Sequence, residues 1–195
     1  MQKTEFEVPN WDEIYTLLLE LADKIRISSF KPDLIVGIAR GGWVPARILS
    51  DIFDNSNLAN IKVEFYSGIY ETKKSPMITQ PLSTPVKNKL VLLIDDIVDT
   101  GESLRLVYNL LIKDAQKVRT AVIFYKPWSV YKPDYYSKNT TAWVIFPWER
   151  FEATRLIVKK MLSEGKKWSE IEEQLTKLKV AGSLIKKLIN YSSEG

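Results

Sequence analysis

A group of acidic and hydroxyl side chains follows the most apolar strand that the sequence predicts, over residues 90–94. Asp95 and Asp96 come directly after this strand, and the segment Asp99-Thr100-Gly101-Glu102-Ser103 opens a predicted helix. Ligands of open α/β sheets bind at the carboxyl ends of the strands, and helix N-termini offer N–H groups to phosphate. The pattern therefore indicates an anion site, where Gly101 lets the backbone approach the ligand closely.

The acids of this segment would repel a bare phosphate, so the ligand must bring hydroxyls or a cation. A sugar phosphate whose ribose hydroxyls meet Asp95 and Asp96, together with a Mg²⁺ ion, satisfies that condition. The alternative interpretation is an ordinary strand, loop and helix with surface acids. The combination of three aspartates, two hydroxyls and a glycine in one loop favours the ligand site.

Two further segments place cations after predicted strands. Arg40, Gly41 and Gly42 follow the apolar run 34–39, and Lys126 follows the predicted strand 117–125. By itself, an arginine before two glycines is typical of a simple turn, and a lysine at a strand end is often only solvated. Their order along the chain favours a role beside the acidic loop, because parallel strands end at the same sheet edge.

The composition excludes several kinds of chemistry. The 195 residues include no Cys and no His, which rules out disulfides, iron–sulfur clusters, zinc sites built on these residues and Ser-His-Asp triads. Acid–base chemistry must then come from carboxylates, lysines or tyrosines. No apolar run approaches the roughly 18 residues of a membrane span, and no signal peptide is evident. We expect a cytoplasmic protein without a membrane partner.

Strands alternate with helices as far as about residue 149, which predicts an α/β fold with a doubly wound, mainly parallel sheet. Beyond it, three short amphipathic helices are predicted. The polar segment 67–89 has the length of a functional lid. The predicted helices are 11–27, 44–53, one from 104, 151–163, 168–178 and 181–191, and the predicted strands are 34–39, 61–66, 90–94, 117–125 and 141–146.

Residues 91–103, VLLIDDIVDTGES, resemble the characteristic motif of type I phosphoribosyltransferases, which use 5-phosphoribosyl 1-pyrophosphate (PRPP). The resemblance covers residues from about 11 to 149 and is closest to the purine enzymes of the xanthine-guanine and hypoxanthine-guanine branch. It implies a phosphoribosyltransferase core over residues 1–149 with a flexible hood at about 67–89. A C-terminal three-helix bundle over residues 150–195 would follow this core.

The resemblance also implies a role for each matching residue. Asp95 and Asp96 would face the ribose hydroxyls, with Asp96 nearest the Mg²⁺ cofactor. Asp99 would be the catalytic residue that assists proton transfer at N7 of the base; the structural alternative is that it caps the following helix. The 5′-phosphate of PRPP would be bound by Asp99, Thr100, Gly101, Glu102 and Ser103. Pyrophosphate would be bound by Arg40, Gly41 and Lys73.

The base would be bound by residues that follow the last strands. Lys126 matches the lysine that donates to O6 of 6-oxopurines in this branch. Trp143 would stack on the purine, and backbone groups near Val144 and Glu149 would read its edge.

The segment after Glu149 departs from the family. Members of the xanthine-guanine type end soon after the Pro-Trp-acid segment, whereas this chain continues for 46 residues. Some archaeal relatives with a helical extension use adenine, so we favour adenine as the base, with hypoxanthine, guanine or xanthine as the alternative. The product would be AMP, or GMP or IMP for a 6-oxopurine.

Two predictions concern partners. The resemblance implies a homodimer or homotetramer. A regulator that keeps the fold but binds nucleic acid is the alternative from another functional class, since Lys177, Lys179, Lys186 and Lys187 belong to the last two predicted tail helices and the break between them. The recognition helix of such a pair would lack arginine and have few base-reading side chains, so nucleic acid is not favoured.

Overall fold

The computed structural model describes residues 5–66, 75–183, 185 and 187. By contacts the chain divides into two compact units, residues 12–141 and residues 1–11 with 142–195. The elements are β1 (Phe6–Glu7), α1 (Trp11–Ile27), β2 (Leu34–Ala39), α2 (Trp43–Ile52), β3 (Leu58–Tyr66), β4 (Ser75–Gln80), β5 (Leu90–Val98), α3 (Glu102–Leu111), β6 (Lys117–Tyr125), β7 (Tyr135–Asn139), β8 (Trp143–Val144), α4 (Arg150–Ser163) and α5 (Trp168–Lys177).

The unit of residues 12–141 is built on a six-stranded sheet with the order β4-β3-β2-β5-β6-β7. All neighbouring pairs are parallel except β3 and β4. The chain first extends the sheet to one side of β2 and then crosses to β5, β6 and β7 on the other side. This reversal creates a topological switch point between β2 and β5, the place where α/β sheets bind ligands.

Helices cover both faces of this sheet, as the alternating pattern predicts. On one face, α3 inserts Leu104, Val107 and Leu111 into a buried cluster with side chains of β2, β5 and β6. On the other face, α2 approaches β2 so closely that a Cβ at Gly37 would lie 2.9 Å from the Cβ of Ala46. Gly37 is therefore required by the contact between helix and strand.

The structure corrects two expectations about strands. Residues 141–146 add no strand to the main sheet, because only Trp143–Val144 is extended and it pairs with β1 in a separate two-stranded ladder. The strand beside β6 is β7, a half-exposed edge strand. Its polar sequence YYSKN has no apolar pattern from which a strand could be predicted. Within the predicted loop 67–89, residues 75–80 form the antiparallel edge strand β4, and residues 67–74 lie outside the described part.

Strand β7 begins at a carboxylate that is anchored on β6. Oδ2 of Asp134 accepts hydrogen bonds from the backbone N–H of Thr120 at 2.8 Å and from its hydroxyl at 2.9 Å. The Arg119 guanidinium pairs with the other oxygen of Asp134. Because Thr120 is fully buried, Asp134 satisfies a backbone donor that water does not reach.

The unit formed by residues 1–11 and 142–195 combines the β1–β8 ladder with helices. Helices α4 and α5 confirm the first two predicted tail helices and share a buried cluster of Val158, Ile171, Leu175 and Ile185. The third predicted helix, 181–191, falls largely outside the described residues. Among the described residues, no helix is long and apolar enough to cross a membrane.

We expect Asp134→Ala to lower the free energy of unfolding by about 2–3 kcal/mol, because it leaves the buried N–H of Thr120 without an acceptor. Equilibrium unfolding in urea measures this change. The control is Asp51→Ala, which removes an exposed carboxylate 3.9 Å from Arg47 and should cost about 0.5 kcal/mol or less. Equal effects of the two substitutions would contradict the anchoring role of Asp134.

Candidate active site

The predicted site residues of the larger unit meet at the carboxyl edge of its sheet. Arg40 and Gly41 follow β2, Asp95 and Asp96 lie near the end of the neighbouring strand β5, and Lys126 follows β6, the next strand along. The topological switch point between β2 and β5 lies within this group. Three separated segments of sequence are thus brought together by parallel strand pairing.

The two adjacent aspartates form the electrostatic centre of this edge. The N–H of Asp96 donates to Oδ1 of Asp95 at 3.0 Å, and the N–H of Ile97 donates to Oδ1 of Asp96 at 2.8 Å. Asp96 is only 8 % exposed. Burial, together with repulsion from the Asp96 carboxylate, raises the pKa of Asp95 well above its usual range. The pair therefore favours a cation or hydroxyl donors nearby.

Two glycines let the β2–α2 loop lie directly against this pair. A Cβ at Gly41 would lie 2.0 Å from Oδ2 of Asp96, and a Cβ at Gly42 would lie 2.6 Å from the backbone oxygen of Ile94. Side chains at either position would therefore push the loop away from β5. The peptide bond between Ala39 and Arg40 in this loop is cis.

The loop before α3 offers an anion-binding helix N-terminus. The helix begins at Glu102, with Gly101 at the N-cap position in the left-handed region, φ 85°. The hydroxyl oxygen of Thr100 accepts a hydrogen bond from the N–H of Glu102 at 3.3 Å. N–H groups of the first helical turn have no partner within the helix, so the loop and the positive end of α3 favour phosphate.

The structure contradicts the alternative role of Asp99 as the helix cap. The N-cap position is occupied by Gly101, which has no side chain that could cap α3. Oδ1 of Asp99 instead accepts a hydrogen bond from Nε1 of Trp128 at 2.8 Å. The carboxylate is thus held by a residue that follows β6, not by the helix that it precedes.

The segment after β6 contains a residue that sequence reasoning missed. Lys126 is only 4 % exposed, and its ammonium lies 5.2 Å from the centre of the Trp128 ring. Trp128 therefore contacts both the predicted base-binding lysine and the predicted catalytic aspartate. An aromatic residue two positions after the strand-end lysine was the available signal, but only the fold brings it to Asp99.

Gly101 also has a packing requirement that the sequence does not show. A Cβ there would lie 2.3 Å from Oγ of Ser129 and 2.8 Å from the backbone N of Tyr131. A substitution at Gly101 would therefore disturb the contact with the segment after β6, in addition to any approach to phosphate.

The remaining predicted residues lie in the other unit or outside the described part of the chain. Trp143, Val144 and Glu149 belong to the other unit: Trp143 is 60 % exposed, Val144 is buried, and Oε1 of Glu149 accepts a hydrogen bond from the N–H of Phe146 at 3.2 Å. The Glu149 side chain thus closes its own turn. Lys73 lies outside the described residues.

The acidic pair fits a Mg²⁺ ion that arrives with a phosphate-bearing substrate. Within the described part of the chain, no group of three or more His, Cys, Asp or Glu could hold a metal ion alone. Carboxylate oxygens are hard ligands, and Mg²⁺ is usually bound by one or two carboxylates together with substrate phosphates. The mutual repulsion of Asp95 and Asp96 is the property that such a cation would relieve.

We expect Asp95→Asn to raise the thermal midpoint of the metal-free protein at pH 7–8. Because the pKa of Asp95 is raised in the folded state, its ionisation costs stability as pH rises from its ordinary value through the raised one. Removing the charge removes that cost, and each kcal/mol corresponds to roughly 2–4 °C at this size.

The gain should shrink towards pH 4, where the unaltered carboxyl is protonated in the folded state. Differential scanning fluorimetry across pH measures both midpoints. Asp114→Asn, at an exposed position, is the matched control and should show a much smaller gain. A lower midpoint for Asp95→Asn than for the unaltered protein at pH 7–8 would contradict the repulsion.

Comparison with known proteins agrees with the residues found at this edge. The family model described as "Phosphoribosyl transferase domain" matches residues 8–152. The xanthine-guanine phosphoribosyltransferase of Gluconobacter oxydans is 28% identical over 150 residues, 76% of this chain and 87% of that protein. The corresponding enzyme of Cereibacter sphaeroides is 29% identical over 149 residues, 72% of this chain and 84% of that protein.

A solved structure gives the same result. The purine phosphoribosyltransferase from Pyrococcus horikoshii has 36% sequence identity and a TM-score of 0.67, covering 74% of this chain and 93% of that one. The family match ends at residue 152, so the archaeal-type extension stays a prediction. Since the match spans the sheet, the acidic pair and the loop before α3, this chain belongs to the phosphoribosyl transferase family of enzymes, with the type I fold.

Proposed function

We propose that this enzyme transfers the 5-phosphoribosyl group of PRPP to a 6-oxopurine, that is hypoxanthine, guanine or xanthine, and releases pyrophosphate. The observation that carries the choice of base is the burial of Lys126, whose ammonium lies 5.2 Å from the centre of the Trp128 ring, while Nε1 of Trp128 donates to Asp99. The names of the relatives, xanthine-guanine and purine phosphoribosyltransferases, also favour the 6-oxopurine alternative over adenine, which they do not support.

The chemistry of Lys126 explains the preference. An ammonium group donates hydrogen bonds and accepts none. O6 of a 6-oxopurine is an acceptor, whereas the 6-amino group of adenine donates. The ammonium can therefore form a hydrogen bond with O6 but not with the 6-amino group of adenine. Lys126 is therefore suited to O6.

The activated ribose fits the rest of the edge. Asp95 and Asp96 accept hydrogen bonds from its hydroxyls, and the segment 99–103 binds the 5′-phosphate through N–H groups and the hydroxyls of Thr100 and Ser103. Arg40 and the backbone of Gly41 bind the pyrophosphate, together with Lys73. Asp96 would hold the Mg²⁺ ion, which would supply positive charge to neutralise the pyrophosphate leaving group.

The reaction exchanges one bond for another at the anomeric carbon C1′. The bond from C1′ to the pyrophosphate oxygen breaks, N9 of the base bonds to C1′, and Asp99 accepts the proton that leaves N7. Positive charge that develops on the ribose is stabilised by the nearby carboxylates. Trp143, Val144 and Glu149 complete the proposal as base-binding residues. The dimeric or tetrameric assembly and the cytoplasmic location stay predictions.

Pyrophosphate release from PRPP, measured with guanine, hypoxanthine, xanthine and adenine in turn, tests the function. We expect turnover with at least one 6-oxopurine and kcat/KM for adenine at least about 100-fold lower, since the ammonium of Lys126 can donate to O6 but offers the 6-amino group of adenine no acceptor. Preferred use of adenine would overturn the choice of base. Absence of turnover with every purine would overturn the function.

Lys126→Met keeps the length of the side chain and removes its charge. We expect kcat/KM for the preferred 6-oxopurine to fall by roughly 10- to 100-fold, the effect of losing a hydrogen bond to a charged group. The control is Lys132→Met, at an exposed position, which should leave kcat/KM within about twofold. An unchanged kcat/KM in Lys126→Met would remove Lys126 from base recognition.

Removal of divalent metal should stop the reaction, because the charge of the leaving pyrophosphate then stays unneutralised. Turnover is measured in excess EDTA and again after Mg²⁺ is restored. Full recovery with Mg²⁺ is expected, whereas unchanged turnover in EDTA would contradict the metal requirement.

A further inference from the structure

The loop before α3 and the segment after β6 contact each other at several residues. The N–H of Lys126 donates to the backbone oxygen of Val98 at 3.0 Å, and the N–H of Val130 donates to that of Thr100 at 2.9 Å. Gly101 packs against Ser129 without room for a Cβ. The two hydrogen bonds join backbone atoms only, and the Gly101 contact does not involve residue 128. All three contacts therefore hold the loop before α3 in place whatever side chain stands at position 128.

The link between Trp128 and Asp99 differs, because it joins two side chains. Nε1 of Trp128 donates to Oδ1 of Asp99 at 2.8 Å, and the ring of Trp128 faces the ammonium of Lys126 at 5.2 Å. Yet Trp128 is 55 % exposed. A tryptophan with more than half of its surface in solvent gains less from burial than a tryptophan in the core, and its indole N–H is directed at one specific acceptor.

We propose that Trp128 is a positioning residue, which holds the Asp99 carboxylate in the orientation that accepts the base proton. The proposal rests on the proposed function of Asp99. With Oδ1 engaged by the indole N–H, Oδ2 is left to accept from N7 of the purine. The same ring lies against Lys126, so one side chain sets the spacing between the group that binds O6 and the group that meets N7.

The expected effect is on the chemical step and not on binding of PRPP. A carboxylate that rotates freely spends less time in the reactive geometry, and effective positioning is a large part of catalysis. Because the backbone hydrogen bonds to Val98 and Thr100 and the packing of Gly101 remain, we expect the loop before α3 to keep its shape in variants of Trp128. A loss of rate without a loss of PRPP affinity thus separates positioning from disruption.

Two substitutions divide the side chain into its parts. Trp128→Phe keeps an aromatic ring and removes the N–H donor, whereas Trp128→Gln removes the ring and keeps an N–H donor at the same number of bonds from Cα. Trp11→Phe is the matched control, since Trp11 is 53 % exposed and packs on Trp148 in the smaller unit. Single-turnover nucleotide formation, with enzyme in excess, measures the rate without product release.

We expect Trp128→Phe to lower the single-turnover rate about tenfold, the loss of one hydrogen bond in the reactive geometry. Its Kd for PRPP should stay within about twofold, and Trp128→Gln should recover most of the rate. Trp11→Phe should match the unaltered enzyme. An unchanged rate in Trp128→Phe, or equal loss in Trp128→Phe and Trp128→Gln, would overturn the proposal.

A double-mutant cycle shows whether Trp128 acts through Asp99. Asp99→Ala alone should lower the rate by roughly 100-fold, and adding Trp128→Phe to it should change the rate by less than about twofold. A further tenfold loss would mean that Trp128 acts elsewhere. The cycle uses whichever purine the unaltered enzyme prefers, so use of adenine would overturn the choice of base without affecting this test.

Discussion

The candidate active site at the carboxyl edge of the sheet depends on the parallel pairing of β2 with β5. This pairing sets Arg40, Gly41 and Gly42 against the acidic pair at the end of β5, at the one place where the strand order reverses. Gly41 has no side chain because the Asp96 carboxylate already occupies the space where its Cβ would lie. The sheet topology thus brings the two loops together, and the absence of a side chain at Gly41 allows their close contact.

The carboxylates of Asp95 and Asp96 at this edge lie where ionisation of both costs free energy. Burial and the nearby charge of Asp96 raise the pKa of Asp95. Without ligand, the folded protein would therefore be more stable if it had one carboxylate fewer at this position. Proteins commonly keep such destabilising groups where function requires them. A substrate that brought hydroxyls and Mg²⁺ would relieve the repulsion between the two carboxylates, and this relief would contribute to its binding free energy.

The active edge joins loops that are far apart in sequence by two kinds of contact. Backbone hydrogen bonds between residues 98–100 and 126–130 set the distance between the loop before α3 and the segment after β6. Side-chain contacts join the same segments, such as the hydrogen bond that Trp128 donates to Asp99. A substitution at Trp128 can therefore remove its hydrogen bond to Asp99 while the backbone hydrogen bonds to the loop before α3 remain.

The sequence by itself determined the α/β class, the bounds of α1, β2 and β6, and the acidic loop, because buried apolar runs and a dense local motif carry their information within a few residues. It did not reveal β7, since a polar edge strand such as YYSKN lacks that pattern. Nor did it separate Trp143 from the main sheet or join Trp128 to Asp99. Only the tertiary structure decided these points, because strand order and contacts across 29 residues depend on which edges and side chains the whole fold leaves available.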